Sequence, residues 1–307
     1  LMQFLVFALT YPFIWLFSRL PMRILYIKSD VFFFLIYYVF RYRKKVVLEN
    51  LKLAFPEKSE AERIKIAKGF FKHFTDLFME SVKAFSISEK EILKRYTYKN
   101  PELVNNFTKQ GRSIALVAAH QANWEWSISL PLVLDGNVHG AYTKLGNTYF
   151  EKVVRTSREK FGVLGYKTSE TVKGMQKNFI EKTQGLYILL SDQSPQVHKT
   201  FYWSTFFGVK VPMHTGAEML AKKFDLVVVN YVTRKVKRGH YETEFQLITE
   251  TPKEFDNYQI TDTYINLTEK NIQQQPELYL WSHKRFKHRN NFDEWEKLKV
   301  SKQKTKK

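Results

Sequence analysis

A histidine and a glutamate stand close together where an apolar run of the chain ends. The segment LVAAHQANWEW, residues 116–126, passes from strand-like residues to His120 and then to Glu125. A carboxylate that accepts a hydrogen bond from one imidazole nitrogen fixes the tautomer and leaves the other nitrogen as a base. No serine or cysteine adjoins His120, so the proton would come from a substrate hydroxyl that attacks an acyl donor directly. The alternative is a core histidine next to a helix cap.

His120 and Glu125 can approach each other only if a strand ends at the histidine and a helix begins just after it. Four strand-like stretches are SIALVAA (113–119), VHGAYTK (138–144), LYILLSD (186–192) and LVVVNYVTRK (226–235). The helical stretches between them cover residues 124–134, 147–161, 170–183 and 215–223. The alternation predicts an α/β fold whose central sheet is mostly parallel and flanked by helices. HYETEFQLI, which follows the last strand, is expected to form a hairpin with it at one edge.

Strand ends gather the other candidate residues at one edge of this sheet. Ligands bind open α/β sheets beyond the carboxyl ends of the strands, which is where His120 stands. Asp192 and Gln193 end another apolar strand and are expected near His120. Asn123 opens the helix that follows His120. Gly208 lies in an apolar segment, FFGVKVP, and is a weaker candidate for a close approach to substrate.

The N-terminus is apolar enough to meet a membrane. Residues 1–17, LMQFLVFALTYPFIWLF, hold no charged residue, and a second apolar run, residues 31–40, closes on RYRKK. A span needs about 20 apolar residues, with roughly 17 as the lower limit. We therefore predict a membrane-associated helical segment over residues 1–45, either spanning or lying flat. The cations follow the first run, which favours the cytoplasmic side for the rest of the chain. A buried helical hairpin in a soluble protein is the other interpretation.

The rest of the chain is predicted to be one catalytic domain over residues 46–296. It divides into a helical part, 46–110, and an α/β core, 111–296. Ser59 and Glu62 have the spacing of a capping box at the start of a long amphipathic helix. The basic segment 297–307 is predicted to be a disordered tail.

Charge and cysteine content narrow the class of protein. The chain has 49 basic and 30 acidic residues, a net charge of +19, and no cysteine. Disulfides, zinc ribbons and thiol nucleophiles are therefore excluded. The positive charge favours anionic partners, and the apolar N-terminus favours a membrane over nucleic acid, for which no motif is visible. The HExxH spacing of zinc enzymes is absent, so neither a metal nor an organic cofactor is expected.

HQANWE, residues 120–125, resembles the HxxxxE/D motif of the glycerolipid acyltransferases. The fuller form is similar to the lipid A biosynthesis acyltransferases, the late, Kdo-dependent enzymes. Other stretches resemble the same family, in the same order: NLKLAFPEKS (50–59), RTSREKFG (155–162), SDQSP (191–195), FFGVKVPMHTGAEMLA (206–221) and QPELYLWSHKRFK (275–287). The resemblance covers nearly the whole chain.

The resemblance implies an O-acyltransferase that moves a fatty acyl chain from acyl-acyl carrier protein to a hydroxyl of a lipid A precursor. His120 would be the general base and Glu125 the residue that orients it. Arg158 becomes a candidate for active-site charge or phosphate binding, with Arg155 as second choice. The implied partners are the carrier protein, an anionic glycolipid and the membrane. The implied location is the bacterial inner membrane, with the catalytic domain facing the cytoplasm.

Alternatives remain open at this stage. Related enzymes with the same pair acylate other acceptors, so another membrane glycolipid, an aminolipid or a lipid-linked pigment fits the motifs too. From a different class, a membrane-anchored basic binding protein would use the pair only as a structural turn. The basic run from His283 to Arg289 is either a solvated face or an anion-binding one.

Overall fold

The computed structural model describes residues 2–304, and the chain begins with two apolar helices. Helix α1 is Met2–Arg19 and α2 is Met22–Phe34. Pro21, which has no N–H to donate, precedes α2, and the Lys83 ammonium donates to the Ser18 carbonyl at the end of α1 (2.9 Å). Within the described residues, α1 alone is long and apolar enough to cross a membrane, and only 6% of it is buried.

The next helices build the predicted helical part. A π-helical turn at Leu35–Val39 leads to α3, Lys44–Ala54, and to α4, Glu60–Ala84. The predicted capping box is present: Ser59 Oγ accepts from the Glu62 N–H (3.3 Å), and Glu62 Oε2 accepts from the Ser59 N–H (2.8 Å). The remaining elements, in chain order, are α5 (Glu89–Arg95), β1 (Tyr96–Tyr98), α6 (Glu102–Lys109), β2 (Ile114–Ala118), a 3₁₀ helix (Trp124–Leu132), β3 (Val138–Tyr142), α7 (Thr148–Glu159), β4 (Leu164–Lys167), α8 (Thr171–Ile180), β5 (Leu186–Leu190), β6 (Tyr202–Phe206), β7 (Val209–Met213), α9 (Gly216–Phe224), β8 (Val227–Lys237), β9 (His240–Thr249), α10 (Gln259–Gln274) and α11 (Phe292–Lys304).

Seven strands form the central sheet, in the order β1-β9-β8-β2-β5-β3-β4. Strands β8, β2, β5, β3 and β4 are parallel, and β9 pairs antiparallel with β8. Strand β1 runs parallel to β9 at the edge. The mostly parallel α/β fold predicted from the sequence is therefore confirmed, including the hairpin that β8 and β9 form.

The two faces of β2 carry two separate hydrophobic cores, because successive side chains of a strand point to opposite faces. Ile114, Leu116 and Ala118 join the core that contains Met22 and Leu25 of α2. Ala115 and Val117 join the core that contains residues of α8 and α9. Every residue of β2 is buried, as expected for a parallel strand covered on both faces.

Three features differ from the sequence-based expectation. Strands β1 and β4 were not predicted, and FFGVKVP contributes to a β6–β7 hairpin rather than a loop. Its two-residue turn, Phe207-Gly208, has positive φ at both positions (50° and 71°), the combination found in type I′ turns. Residues 297–304, expected to be disordered, continue α11, and 305–307 lie outside the described residues.

Helix α4 offers a matched test of the packing. Phe71 is fully buried and its ring meets Tyr37 edge-on at 5.4 Å, whereas Phe78 is 53% exposed although it shares the apolar pattern. Phe71→Ala should lower the free energy of unfolding by about 3–5 kcal/mol, because it empties a filled core site. Phe78→Ala should have a much smaller effect. Denaturant unfolding of the detergent-solubilised proteins checks this, and equal losses would contradict the described packing.

Candidate active site

His120 and Asp192 meet because their strands are paired in register. Ala118 at the end of β2 lies opposite Leu190 at the end of the parallel strand β5, and each candidate follows two residues later. His120 Nδ1 lies 2.7 Å from Asp192 Oδ1. The His120 carbonyl also accepts a hydrogen bond from the Leu280 N–H (3.0 Å), which fixes the backbone from the other side.

Electrostatics define the protonation of this pair. Burial lowers the pKa of His120, but the charge of Asp192, its hydrogen bond and the weaker influence of Glu125 outweigh burial and raise the pKa above 6.5. Burial raises the pKa of Asp192, yet His120 outweighs this effect too, so the pKa falls below its usual value. An ionised carboxylate can only accept hydrogen bonds. Nδ1 of His120 therefore carries the proton, and Nε2 is the free acceptor of the neutral ring.

Glu125 occupies a different position from the one expected. It was predicted to hold the imidazole, but the structure places Asp192 there. Both carboxylate oxygens of Glu125 lie 3.4 Å from Nη2 of Arg158, which is on α7. Trp124 contacts the imidazole instead, with its ring edge-on at 5.3 Å. Five residues of separation place Glu125 close enough to influence the charge of His120 but not to hydrogen-bond to it.

Gln193 and Arg155 complete the polar surroundings. Gln193 Nε2 lies 3.4 Å from His120 Nε2, where an amide N–H can donate to the unprotonated nitrogen. Arg155 pairs with Glu159 of its own helix (2.8 Å) and is half-exposed. Arg158, at 40% exposure, is also open to solvent. Gln193, Arg155 and Arg158 line the same cavity as His120, so hydrogen-bond donors and positive charge share that space with the imidazole.

His120 lines a cavity of about 740 Å³. Polar groups from the site line part of it, and the apolar part is formed by Ile128, Val163, Val172, Leu189, Leu190 and Leu220. Gly140 and Gly165 line the cavity where neighbouring side chains approach closely, since an added Cβ would lie 3.3 Å from Val163 and 2.9 Å from Glu159, respectively. The volume falls within the range of about 300–1,000 Å³ for small-molecule pockets.

Asn123 and Gly208 have structural positions rather than the substrate contacts expected of them. Asn123 is fully buried; its Oδ1 accepts from the Trp126 N–H (2.9 Å), and its Nδ2 donates to Glu80 (2.7 Å). Gly208 lies in the β6–β7 turn and is not among the residues that line the cavity. Asn123 caps the 3₁₀ helix that carries Glu125, so it helps to position Glu125.

Sequence reasoning missed the buried polar residues that support the site. His73 and Glu80 of α4 contact the loop after His120, and their one visible signal was polar residues on the apolar face of an amphipathic helix. His283 accepts a hydrogen bond from the Ser194 N–H (3.0 Å), next to Gln193. Arg285 is 1% exposed and donates to a β7 carbonyl (3.2 Å), so the basic run is partly internal. Residues 2–304 bring together no cluster of His, Cys, Asp or Glu suited to a metal ion.

Removing one charge tests the electrostatics of the site. Asp192→Asn should lower the pKa of His120, because the substitution removes the negative charge that stabilises the imidazolium. The unfavourable effect of burial on the imidazolium remains. Glu125→Gln should lower the pKa of His120 in the same direction but by less. Histidine NMR titration of the two variants and the wild type measures both shifts. A larger effect of Glu125→Gln would contradict the arrangement.

The chain is similar in sequence to one family of known proteins. The family described as "Bacterial lipid A biosynthesis acyltransferase" matches residues 2–288. The lipid A biosynthesis lauroyltransferase of Escherichia coli (strain K12) is 26% identical over 277 residues, which are 90% of this chain and 89% of the relative. The palmitoleoyltransferase of the same organism is 23% identical and covers 80% and 79%. A crystal structure of the 1-acyl-sn-glycerophosphate (LPA) acyltransferase PlsC from Thermotoga maritima matches with a TM-score of 0.41 and 12% identity, over 83% of this chain and 98% of that one.

The family match extends from α1 into the basic run, so it includes the helical part and the sheet alike. The resemblance inferred from HQANWE and the accompanying motifs is confirmed. The chain belongs to the bacterial lipid A biosynthesis acyltransferase family and is an acyltransferase.

Proposed function

We propose that this enzyme transfers a fatty acyl chain from acyl-acyl carrier protein to a hydroxyl of a lipid A precursor, with His120 as general base. The observation that carries the proposal is the 2.7 Å contact between His120 Nδ1 and a buried, ionised Asp192, together with a cavity of polar and apolar walls that His120 lines. That arrangement provides a base for a hydroxyl and a space for a hydrocarbon chain. Family membership provides the reaction class.

One nitrogen of His120, Nε2, first takes the proton from the acceptor and later gives it to the leaving group. Nε2 of His120 takes the proton of the acceptor hydroxyl as its oxygen bonds to the thioester carbonyl carbon. The imidazolium is stabilised by Asp192, which keeps its own charge and holds Nδ1–H. As the tetrahedral intermediate collapses, the carbon–sulfur bond breaks and Nε2–H protonates the departing thiolate. The products are an ester and the carrier's free thiol, and the ring returns to neutral.

Glu125 and Arg158 serve this reaction by charge rather than by proton transfer. Glu125 holds the guanidinium of Arg158 at the cavity wall. Arg158 then supplies positive charge for an anionic part of the substrate or for the developing oxyanion. Gln193, beside Nε2, donates to the same region, and Arg155 adds positive charge. Glu125 was first assigned to orient His120, a role that this mechanism gives to Asp192.

The surface of the protein suits anionic and membrane-bound partners. The net charge of +19 attracts acidic carrier protein and phosphorylated glycolipid. Helices α1 and α2 expose large apolar side chains to the surroundings, among them Leu9, Phe13 and Ile27. Arg19 ends α1 and Arg23 lies in the first turn of α2, so the cations come after the first apolar run, which favours an inner-membrane protein whose catalytic domain faces the cytoplasm. An exposed apolar surface of this kind is poorly explained by a purely soluble protein.

The decisive experiment is an acyl-transfer assay on detergent-solubilised protein with a tetra-acylated Kdo-lipid A precursor. Lauroyl-, myristoyl- and palmitoleoyl-acyl carrier protein are offered as donors, and the product is read by mass spectrometry. We expect a mass gain of one acyl chain. His120→Ala should lower kcat by about 10²–10⁴-fold, the usual contribution of a general base. His198→Ala, an exposed histidine outside the cavity, is the matched control and should keep the wild-type rate.

Two results would overturn parts of this proposal. A normal rate in His120→Ala would remove the general-base role. Wild-type protein that leaves the precursor unchanged but acylates another lipid in an extract would keep the mechanism and replace the acceptor. That second outcome corresponds to the other membrane glycolipids, aminolipids or pigments that share the motif.

Membrane association has its own test. The double variant Leu9→Lys, Phe13→Lys places two charges on the exposed face of α1, and each lysine at a helix centre opposes insertion by roughly 2.5–3.5 kcal/mol. We expect the wild type to float with anionic phospholipid vesicles in high salt and the variant to stay behind. Phe179→Lys, on the exposed surface of α8, is the control and should float. Equal flotation of all three proteins would contradict a role for α1.

A further inference from the structure

Glu80 is a residue of α4 whose carboxylate lies in the protein interior. It takes no part in the mechanism described above. It has no exposed surface, and three side chains donate to it. Tyr26 donates to Oε1 (2.7 Å), and Asn123 and Tyr241 donate to Oε2 (2.7 and 2.8 Å). Burial raises its pKa to about 7 despite the hydrogen bonds from the two tyrosines. Burying a carboxylate is unfavourable unless hydrogen bonds compensate for the lost water, and here donors from three separate parts of the chain provide them.

One of those donors belongs to residues 120–126, the segment with the proposed base His120, which we call the catalytic loop. Asn123 lies between His120 and Glu125 and caps the 3₁₀ helix through its other amide atom. The Trp126 indole N–H donates to the Glu80 backbone carbonyl (3.1 Å). Glu80 therefore holds the loop at two points, three and six residues after the proposed base.

This loop needs support from outside because its backbone is strained. Ala122 has φ of +52°, a conformation that non-glycine residues rarely adopt. Such strain persists only where the surroundings impose it. The Ala122 carbonyl accepts a hydrogen bond from Nε2 of His73 (3.0 Å), also on α4. Burial lowers the pKa of His73 to about 3, so the ring stays neutral. The face of α4 that carries His73 and Glu80 thus holds both Ala122 and Asn123.

The same carboxylate also reaches the apolar N-terminal segment. Tyr26 is on α2, and its hydroxyl is the described side-chain donor to Oε1. Helix α2 is fixed to α4 one turn away, where Ser29 donates to Asp76 (2.7 Å) and Arg238 bridges Asp76 and Asp30. Movement of α2 relative to α4 would disturb the group that holds Asn123.

We propose that Glu80 is a positioning residue for acyl transfer, which sets the catalytic loop through Asn123 and links that loop to α2 through Tyr26. The inference rests on the proposed role of His120 in acyl transfer. A glutamine in place of Glu80 keeps one acceptor oxygen for Asn123 and Tyr241, but it removes the negative charge that strengthens both hydrogen bonds, and it keeps Tyr26 only if that hydroxyl turns from donor to acceptor. The hydrogen bonds that hold the loop would weaken while the side chains of His120 and Asp192 remain.

The test compares Glu80→Gln, Asn123→Ala and the double variant in the acyl-transfer assay. Glu80→Gln should lower kcat by roughly 10- to 100-fold, since a misplacement of 1 Å can cost about 10²-fold, while KM for the donor changes little. If Glu80 acts through Asn123, the double variant should be no slower than Asn123→Ala within about twofold. Multiplying effects, or an unchanged kcat in Glu80→Gln, would overturn the proposal.

Tyr26→Phe is a milder variant that removes one hydrogen bond to Glu80 and keeps the ring. It should lower kcat in the same direction by a smaller factor. Tyr96→Phe is its control, because Tyr96 is a buried tyrosine whose hydroxyl bonds to Thr233 (2.8 Å) and not to Glu80. Equal rates in these two variants would remove α2 from the proposal.

Amide hydrogen exchange over residues 120–126 provides a readout that needs no substrate. Exchange should be faster in Glu80→Gln than in the wild type and unchanged in Tyr96→Phe. Unchanged exchange in Glu80→Gln would refute the positioning role whatever the true substrate is. A wild-type protein without turnover would refute the proposed function alone, because the exchange measurement would still decide the role of Glu80.

Discussion

The register between β2 and β5 is the constraint on which the site depends. It places the ends of two parallel strands opposite each other, so that His120 and Asp192 meet although 72 residues separate them. Both are largely removed from water, and a buried carboxylate is tolerated there because the imidazole N–H satisfies it. The side chains of β2 lock this register, since a shift by one residue would exchange the two cores that its faces fill.

Helix α4 connects this sheet edge to the N-terminal segment. Its buried polar residues bond to other parts of the chain: His73 and Glu80 to the loop after His120, and Asp76 to Ser29 of α2. Asp76 pairs with Arg238 and lies 3.6 Å from the Lys235 ammonium. Removing one partner of such a group leaves a buried charge without compensation, which is more costly than the pair is stabilising. The polar face of α4 thus fixes the relative positions of α2, the β8–β9 hairpin and the catalytic loop.

Sequence patterns predicted what depends on periodicity and missed what depends on pairing. Apolar strands alternating with helices gave the parallel sheet, and strand ends gave the proximity of His120 and Asp192. Which carboxylate holds the imidazole depends on strand register, which linear spacing does not encode, so the nearby Glu125 was assigned the contact. The contacts of Glu80 could not be predicted, because its hydrogen-bond donors come from three segments that are far apart in the sequence. The turn at Phe207 could not be predicted either, because an aromatic residue rarely adopts positive φ.

The two ion pairs of the site differ in how easily they exchange partners. The His120–Asp192 pair is buried on the Asp192 side, and breaking it would leave a charge with no solvent to receive it. The Glu125–Arg158 pair is longer, at 3.4 Å, and its side chains are 28% and 40% exposed, so water screens it and it contributes little stability. A phosphate or a developing oxyanion can take over the N–H groups of Arg158 at little cost. The buried pair therefore suits a fixed base, and the exposed pair suits a charge that responds to substrate.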